Sequence, residues 1–376
     1  MNEAILLVGG KGTRLQPLTL SRPKPMVSVA GVPFLAHLVA RARAAGIERL
    51  VMATSYLPET FRAYFGDGSA FGLRLEYVTE TDPLGTGGAI RNAARLLTGG
   101  PDSPVAVLNG DILSGTDISL LVERHRAADA DVTLHLTRVD DPRAYGLVPT
   151  GPDGRVLRFL EKPTTAADIV TDQINAGCYV FRRSVIDSIP AGRPVSVERE
   201  TFPALLASNA RVLGVTDDAY WLDLGTPEAL VRGSADLVLG RVASPALPGP
   251  CGEALLLEGA RVAPGATVAG GSTIGPGATV HGGAHVSGSI LLDGAVVEAG
   301  AVVRDSVIGA GAVIGAGTVL DCAVIGDLAR VGSGNELRTG LRLWNGAVLA
   351  PDSVRFSPDP RTSIPAQSGV QHAAAL

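Results

Sequence analysis

The chain has 376 residues, of which 46% are hydrophobic and 18% charged, with a formal net charge of −5. That length suits two domains with a sizeable core, and the acidic balance argues against a general nucleic-acid or membrane-binding surface. A polyanionic substrate would have to be held by local cations. Three widely spaced cysteines (Cys178, Cys251, Cys322) give no disulfide framework and point to a reducing compartment. Cys178 and Cys322 read as buried small apolar residues. No signal segment precedes the first apolar strand and no apolar run reaches membrane-spanning length, so the expectation is a soluble cytoplasmic protein.

The first apolar run, Ala4 to Val8, reads as a buried parallel strand. It runs into GGKGTR, where Gly9, Gly10 and Gly12 let the backbone turn and let a ligand approach its N–H groups. Those donors, through Thr13, with Lys11 and Arg14 beside them, suit a triphosphate. Arg22 and Lys24 continue the cationic stretch, and Pro23 and Pro25 hold Lys24 in a stiff extended segment. The spacing is neither Walker A nor GxGxxG. A helix is predicted from Phe34 to Gly46, a strand from Arg49 to Thr54, a short helix from Glu59 to Phe65 and a strand from Leu73 to Val78. Such alternation implies βαβ units and a parallel sheet that binds ligands at the carboxyl ends of its strands. His37 reads as a packed or surface helical residue. Gly85, Gly87 and Gly88 form a second permissive turn, with a helix from Ala89 to Leu97 whose N-terminus faces the site.

Pro104 to Leu108 is predicted as a strand ending in Asn109-Gly110-Asp111. A carboxylate placed there reaches the cleft, and Mg²⁺ prefers one or two carboxylates plus phosphate oxygens, so Asp111 is a metal-ligand candidate. In the strand from Asp131 to Arg138, alternation puts His135 opposite Val132, Leu134 and Leu136. Val156 to Leu160 reads as a strand running into Glu161-Lys162-Pro163, which by itself could be an exposed ion pair. Gln173 to Phe181 reads as a strand with Gly177 where backbone meets ligand. Ser196 to Ala207 fits a helix with Glu198 and Glu200 near its positive end. Thr226 and Pro227 start a helix through Leu239, and Trp221 packs beneath the site.

Ala243 to Pro250 is a linker by composition. Beyond it apolar residues recur every six positions: Val262, Val268, Ile274, Val280 and Val286, then Ile290, Val296, Val302, Ile308, Ile314 and Leu320, then Ile325, Val331, Leu337 and Leu343. Gly, Ala, Ser and Thr stand between them. This predicts a left-handed parallel β-helix of hexapeptide repeats with roughly four to five coils. The polar, Pro-rich tail is expected to be poorly ordered. The domains so read are 1–240, a linker 241–251, the β-helix 252–350 and the tail 351–376.

The string VGGKGTRLQPLTLSRPKPM resembles the signature GGxGTRLxPLTxxxPKPM of the sugar-1-phosphate nucleotidyltransferases, and further segments keep to that family's order. PLGTGGAI resembles its second nucleotide loop, with Gly88 where alanine is usual. VLNGD resembles its metal-binding aspartate segment, YGLV and EKP its sugar-phosphate station, INAGCYVF its xNAGxYxF, and WLDLGTP its W.DiGTP. The resemblance implies an α/β Rossmann-like catalytic domain with a mixed, mostly parallel sheet. It implies nucleotidyl transfer from an NTP to a sugar 1-phosphate, with Mg²⁺ on Asp111 and Asp223. Arg14 would clamp the leaving phosphates, Lys24 neutralise the α-phosphate, and Lys162 hold the attacking phosphate. Val8, Gly9, Gly10, Lys11, Gly12, Thr13, Gly85, Thr86 and Asn109 would surround the nucleotide. Tyr145, Gly146, Glu161, Asn175 and Gly177 would contact the sugar.

Thymidylyl- and uridylyl-transferring relatives usually carry Gln where this chain has Glu80. A carboxylate accepts from both adjacent donors of guanine, N1–H and the 2-amino group, so Glu80 favours GTP. The chain therefore resembles most the group making GDP-mannose, with the hexose left open to another sugar or a cyclitol phosphate. Rival readings are a pyrophosphorylase using another NTP, a β-helix acyltransferase relying on His281 or His285, and a non-catalytic regulatory subunit. The last predicts losses among Arg14, Lys24, Asp111, Lys162 and Asp223, and all five are present. A homo-oligomer assembled through the β-helix is also expected.

Overall fold

The structure, a computed structural model, describes residues 3–163, 165, 168–247 and 252–355. Strand β1 (Glu3–Val8) is followed by the glycine turn, the short strands β2 (Ser28–Val29) and β3 (Val32–Pro33), and helix α1 (Phe34–Ala44). Then come β4 (Arg49–Thr54), α2 (Pro58–Phe65), β5 (Arg74–Thr79), α3 (Gly85–Ala94), β6 (Pro104–Asn109), β7 (Ile112–Ser114), α4 (Ile118–Ala127) and β8 (Val132–Arg138). The catalytic half ends with β9 (Gly146–Leu147), β10 (Leu160–Glu161), β11 (Gln173–Arg182), α5 (Arg183–Ser188), α6 (Phe202–Ala207), β12 (Val212–Thr216), β13 (Trp221–Asp223) and α7 (Pro227–Val238).

One nine-stranded sheet runs in the order β10-β9-β11-β6-β1-β4-β5, with β8 on β11 and β12 on β8. Strands β6, β1, β4 and β5 are mutually parallel, and β11 is antiparallel to β6. Both faces are covered. Leu6 packs with Phe34, Phe61, Leu121 and Leu230 on one side. Ile5 packs with Ile90, Ala93, Ile186 and Phe202 on the other. Burial on both faces explains why β1 reads as an unbroken apolar run. The loops after β1, β4, β5 and β6 consequently open at one edge, where ligands bind in open α/β sheets.

Residues 254–349 form three parallel sheets of six, six and five strands, the left-handed β-helix anticipated from the hexapeptide period. The strands make between five and six coils, more than the four to five expected. The repeat frame also differs. The axis is filled by Ile274, Val280, Val286, Leu291, Val297, Val303, Ile308, Ile314, Leu320, Ile325, Val331 and Leu337. Thus Leu291, Val297 and Val303 point inward, where Ile290, Val296 and Val302 were expected. Ile290 is also buried, against the catalytic half.

Other differences are local. Val156 to Leu160 is no continuous strand: Val156 makes an isolated bridge to Thr150, and only Leu160–Glu161 pairs, with β9. The helix expected from Ser196 begins as a π-turn, Val197–Thr201, capped by Ser196 Oγ. Cys178 is buried, whereas Cys322 is only half-buried, with its Sγ 3.5 Å from the Asp321 carboxylate. Cys251, the three residues before it (248–250) and the tail from 356 lie outside the described residues. Residues 351–355 still follow the β-helix, since Glu336 N–H donates to Val354 O at 2.8 Å.

Candidate active site

Four parallel-strand ends build the cleft. After β1, Gly9 and Gly10 cross the strand edge, and Gly10 N–H points at Ser55 Oγ beyond β4 (3.4 Å). Gly12 has φ 60°, and a Cβ there would come 2.7 Å from Lys24 Cβ, so a side chain would displace the lysine. Gly9, Gly10, Lys24, Ser55, Glu80, Gly85, Thr86, Asn109 and Asp111 line one cavity of about 330 Å³. Val8 is buried at the end of β1, and Lys11 and Thr13 are exposed on the turn.

Lys24 stands at the centre. Its Nζ donates to Asp111 Oδ2 at 2.8 Å and lies 3.8 Å from Asp223 Oδ1. The two aspartates are 112 positions apart in the chain and are brought together by the antiparallel pair β7–β13, which sets Asp223 opposite Ile112. Leu224 N–H adds a bond to Asp111 O at 3.0 Å. Burial pushes the Asp223 carboxyl above its ordinary range, and the Asp111 carboxylate adds to this, with Lys24 and Arg14 opposing. Asp223 Oδ1 is buried without a hydrogen-bond partner. The Arg14 guanidinium lies against Gly225, where a Cβ would meet its Nη2 at 2.6 Å and Asp223 Oδ1 at 2.9 Å.

Glu80 follows β5. Its Oε2 accepts from Leu84 N–H at 3.2 Å, while its Oε1 is buried with no hydrogen-bond partner. Burial raises its pKa, against the Leu84 bond. The second glycine turn differs from expectation, because Gly85 to Gly88 already form the first turn of α3. Thr86 Oγ1 donates to Glu198 Oε2 at 2.8 Å and accepts from Val197 N–H at 3.0 Å, so its hydroxyl ties this turn to the π-turn.

A second group lies beside Asp223. Tyr145 packs edge-on against Trp221, ring centroids 5.4 Å apart, and its carbonyl accepts from Lys162 N–H at 3.2 Å. Gly146 pairs with Glu161 across β9 and β10. Lys162 is mostly exposed, 3.9 Å from its neighbour Glu161. Burial raises the Glu161 pKa, and the Glu198 carboxylate raises it further. Asn175 donates to Tyr179 Oη at 2.8 Å and accepts from Gly177 N–H, bracing the bulge of β11 against Asn109. Trp221 Nε1 donates to Ala176 O at 2.9 Å, so its indole supports the site.

Sequence reasoning missed Ser55 and the Thr86–Glu198 tie. Ser55 was findable as the residue past the carboxyl end of β4; Glu198 carried only a helix-dipole signal. Arg22, part of the same cationic stretch in the sequence, pairs with Asp327 of the β-helix.

The nucleotidyl transferase model matches residues 3–238, and the model described as the GMPPB C-terminal domain matches residues 251–354. The chain belongs to the nucleotidyl transferase family. As a nucleotidyl transferase, it is 59% identical over 263 residues to a mannose-1-phosphate guanylyltransferase of Mycobacterium tuberculosis, covering 70% of this chain and 72% of that protein. A mannose-1-phosphate guanyltransferase of Gibberella zeae is 38% identical over 235 residues, 62% of this chain and 63% of that protein. Among solved structures, HddC from Yersinia pseudotuberculosis complexed with GMP-PN aligns with a TM-score of 0.53 at 29% identity, covering 62% of this chain and 98% of that one. Nucleotidyl transferases of this family generally use a divalent metal. Among the described residues no helix is long and apolar enough to cross a membrane.

Proposed function

We infer that the protein transfers GMP from GTP to mannose 1-phosphate, giving GDP-mannose and pyrophosphate. The observation that carries this reading is Lys24 held between Asp111 and Asp223 on a cavity that Glu80 also lines. The names of the mycobacterial and fungal relatives agree with it.

In the reaction, an oxygen of the sugar phosphate forms a bond to the α-phosphorus, and the bond from that phosphorus to the bridging oxygen breaks. Pyrophosphate leaves with the electron pair. The attacking oxygen is already ionised at neutral pH, so the chain needs no strong general base. Its task is to align two polyanions and stabilise the developing charge. Lys24 neutralises the α-phosphate, and Arg14 stands beside it at Asp223. Lys162, free to swing at the surface, pairs with the sugar phosphate, while Glu161 accepts from sugar hydroxyls. Glu80 accepts from N1–H and the 2-amino group of guanine. The residues fit a divalent ion, because Asp223 presents a buried oxygen with no hydrogen-bond partner next to the Asp111 carboxylate. Held there, Mg²⁺ would supply charge neutralisation between the two phosphates.

We place the working enzyme in the cytoplasm as a homo-oligomer joined through the β-helix, where Leu328, Trp344 and Val348 are exposed. The domain division is read at the stretch 241–251.

The test is pyrophosphate release across GTP, ATP, UTP, CTP and dTTP, with mannose, glucose and cyclitol phosphates. GTP with mannose 1-phosphate should lead by about two orders of magnitude in kcat/KM; a lead by dTTP or UTP would overturn the base assignment. Lys24→Ala and Asp111→Asn should each lower kcat by about two to three orders of magnitude with the fold intact.

A further inference from the structure

The β-helix reaches into the signature loop. Asp327 sits at a corner of the β-helix between the strands Val324–Ile325 and Arg330–Val331. Its Oδ2 accepts from Arg22 Nη2 at 2.8 Å and from Ser21 Oγ at 3.1 Å. Its Oδ1 accepts from Ala310 N–H at 2.9 Å, and its own N–H donates to Asn345 Oδ1 at 3.1 Å. The carboxylate is therefore fixed by two neighbouring coils before it meets the loop. One coil further on, Arg342 Nη1 donates to Gln16 O at 3.0 Å.

Arg22 is joined to Lys24 only through Pro23, whose φ of −61° and ψ of 149° make a rigid extended link into the turn Lys24–Met26. Holding the guanidinium thus fixes where the lysine backbone starts, while Asp111 and Asp223 receive the ammonium at the other end. The ion pair is mostly sheltered, with side-chain exposures of 26% and 16%.

We propose that Asp327 of the β-helix is a positioning residue for nucleotidyl transfer, acting through Arg22 to aim Lys24. This rests on the reading of Lys24 as the α-phosphate cation. A sub-ångström error in its placement weakens a transition-state contact more than ground-state binding, so the effect belongs in kcat.

The test uses the full chain with GTP and mannose 1-phosphate, well below the melting temperature. Asp327→Ala and Arg22→Ala should each lower kcat by about ten-fold, with KM for the sugar phosphate changed by less than about twofold. The double variant should be no slower than either single one, and Arg22→Lys should recover most of the loss by re-forming the pair. Should Asp327→Ala fold poorly, Asp327→Asn, which keeps an acceptor for Ala310 N–H, carries the measurement. Parent kcat in the single variants, or losses that multiply in the double variant, would overturn the proposal. Lys24→Ala separates the two ideas. If it is inactive while the Asp327 and Arg22 variants keep parent kcat, the positioning role fails alone; if Lys24→Ala turns over normally, the Lys24 reading falls and the positioning role with it.

Discussion

At Glu80 a single carboxylate has one oxygen tied to the Leu84 N–H and the other buried without a partner. An unpartnered buried acceptor is costly unless a ligand completes it, and two adjacent N–H donors of a guanine edge do so. In Glu80→Gln the amide nitrogen would face one of those donors. The variant should lose about 2 kcal/mol of GTP binding, roughly thirty-fold in kcat/KM, and should gain relative activity with UTP or dTTP. The same residue sets a pH dependence. Burial raises its pKa, so protonation begins at a higher pH than for an ordinary glutamate. The protonated carboxyl donates where acceptance is needed, and KM for GTP should therefore climb as pH falls. That KM limb should be missing from Glu80→Gln; its persistence there would assign the titration to another group.

The element α3 shows what the sequence could and could not convey. Its glycines read as a flexible turn, yet Gly87 and Gly88 are helical. They are small because the segment 193–195 crosses directly over them: a Cβ on Gly87 would lie 2.9 Å from Val195 Cγ1, and one on Gly88 2.9 Å from Arg193 O. Close approach and turn formation both select glycine, so composition alone does not separate them. Gly87→Val should push the first turn of α3 off Val195, costing about 1–3 kcal/mol and raising KM for GTP, because Gly85 and Thr86 line the cavity. Denaturant midpoints and GTP titrations measure the two effects. The β-helix is a parallel case. Its period was legible, but Ile290–Leu291, Val296–Val297 and Val302–Val303 are adjacent apolar pairs, and a count of six cannot tell which member faces the axis. By contrast, the strand-end placement of Gly9, Glu80 and Asp111 followed from βαβ alternation, because parallel strands deliver their loops to one edge. The meeting of Asp111 with Asp223 depended on the β7–β13 pairing, which local pattern does not encode; only the motif resemblance anticipated it.

For the whole molecule, the decisive feature is that one hydrophobic cluster runs through both halves: Leu230, Val231 and Leu237 of α7 share it with Leu255, Ile290, Leu292, Val307 and Val324 of the β-helix. Ser234 ties the junction further, accepting from Ala30 N–H at 2.9 Å and lying 3.3 Å from Thr273 Oγ1, and Gly271 leaves no room for a Cβ against Ala235. Separating the halves would expose the apolar face of α7 to water, so neither half should unfold alone. Calorimetry should record one transition, with loss of activity and loss of circular dichroism at the same temperature. Ile290→Ala, at the seam, should cost about 2–4 kcal/mol and lower that single transition without splitting it. Two resolved transitions in the parent protein, one of them leaving the β-helix intact, would show that the shared cluster does not couple the halves.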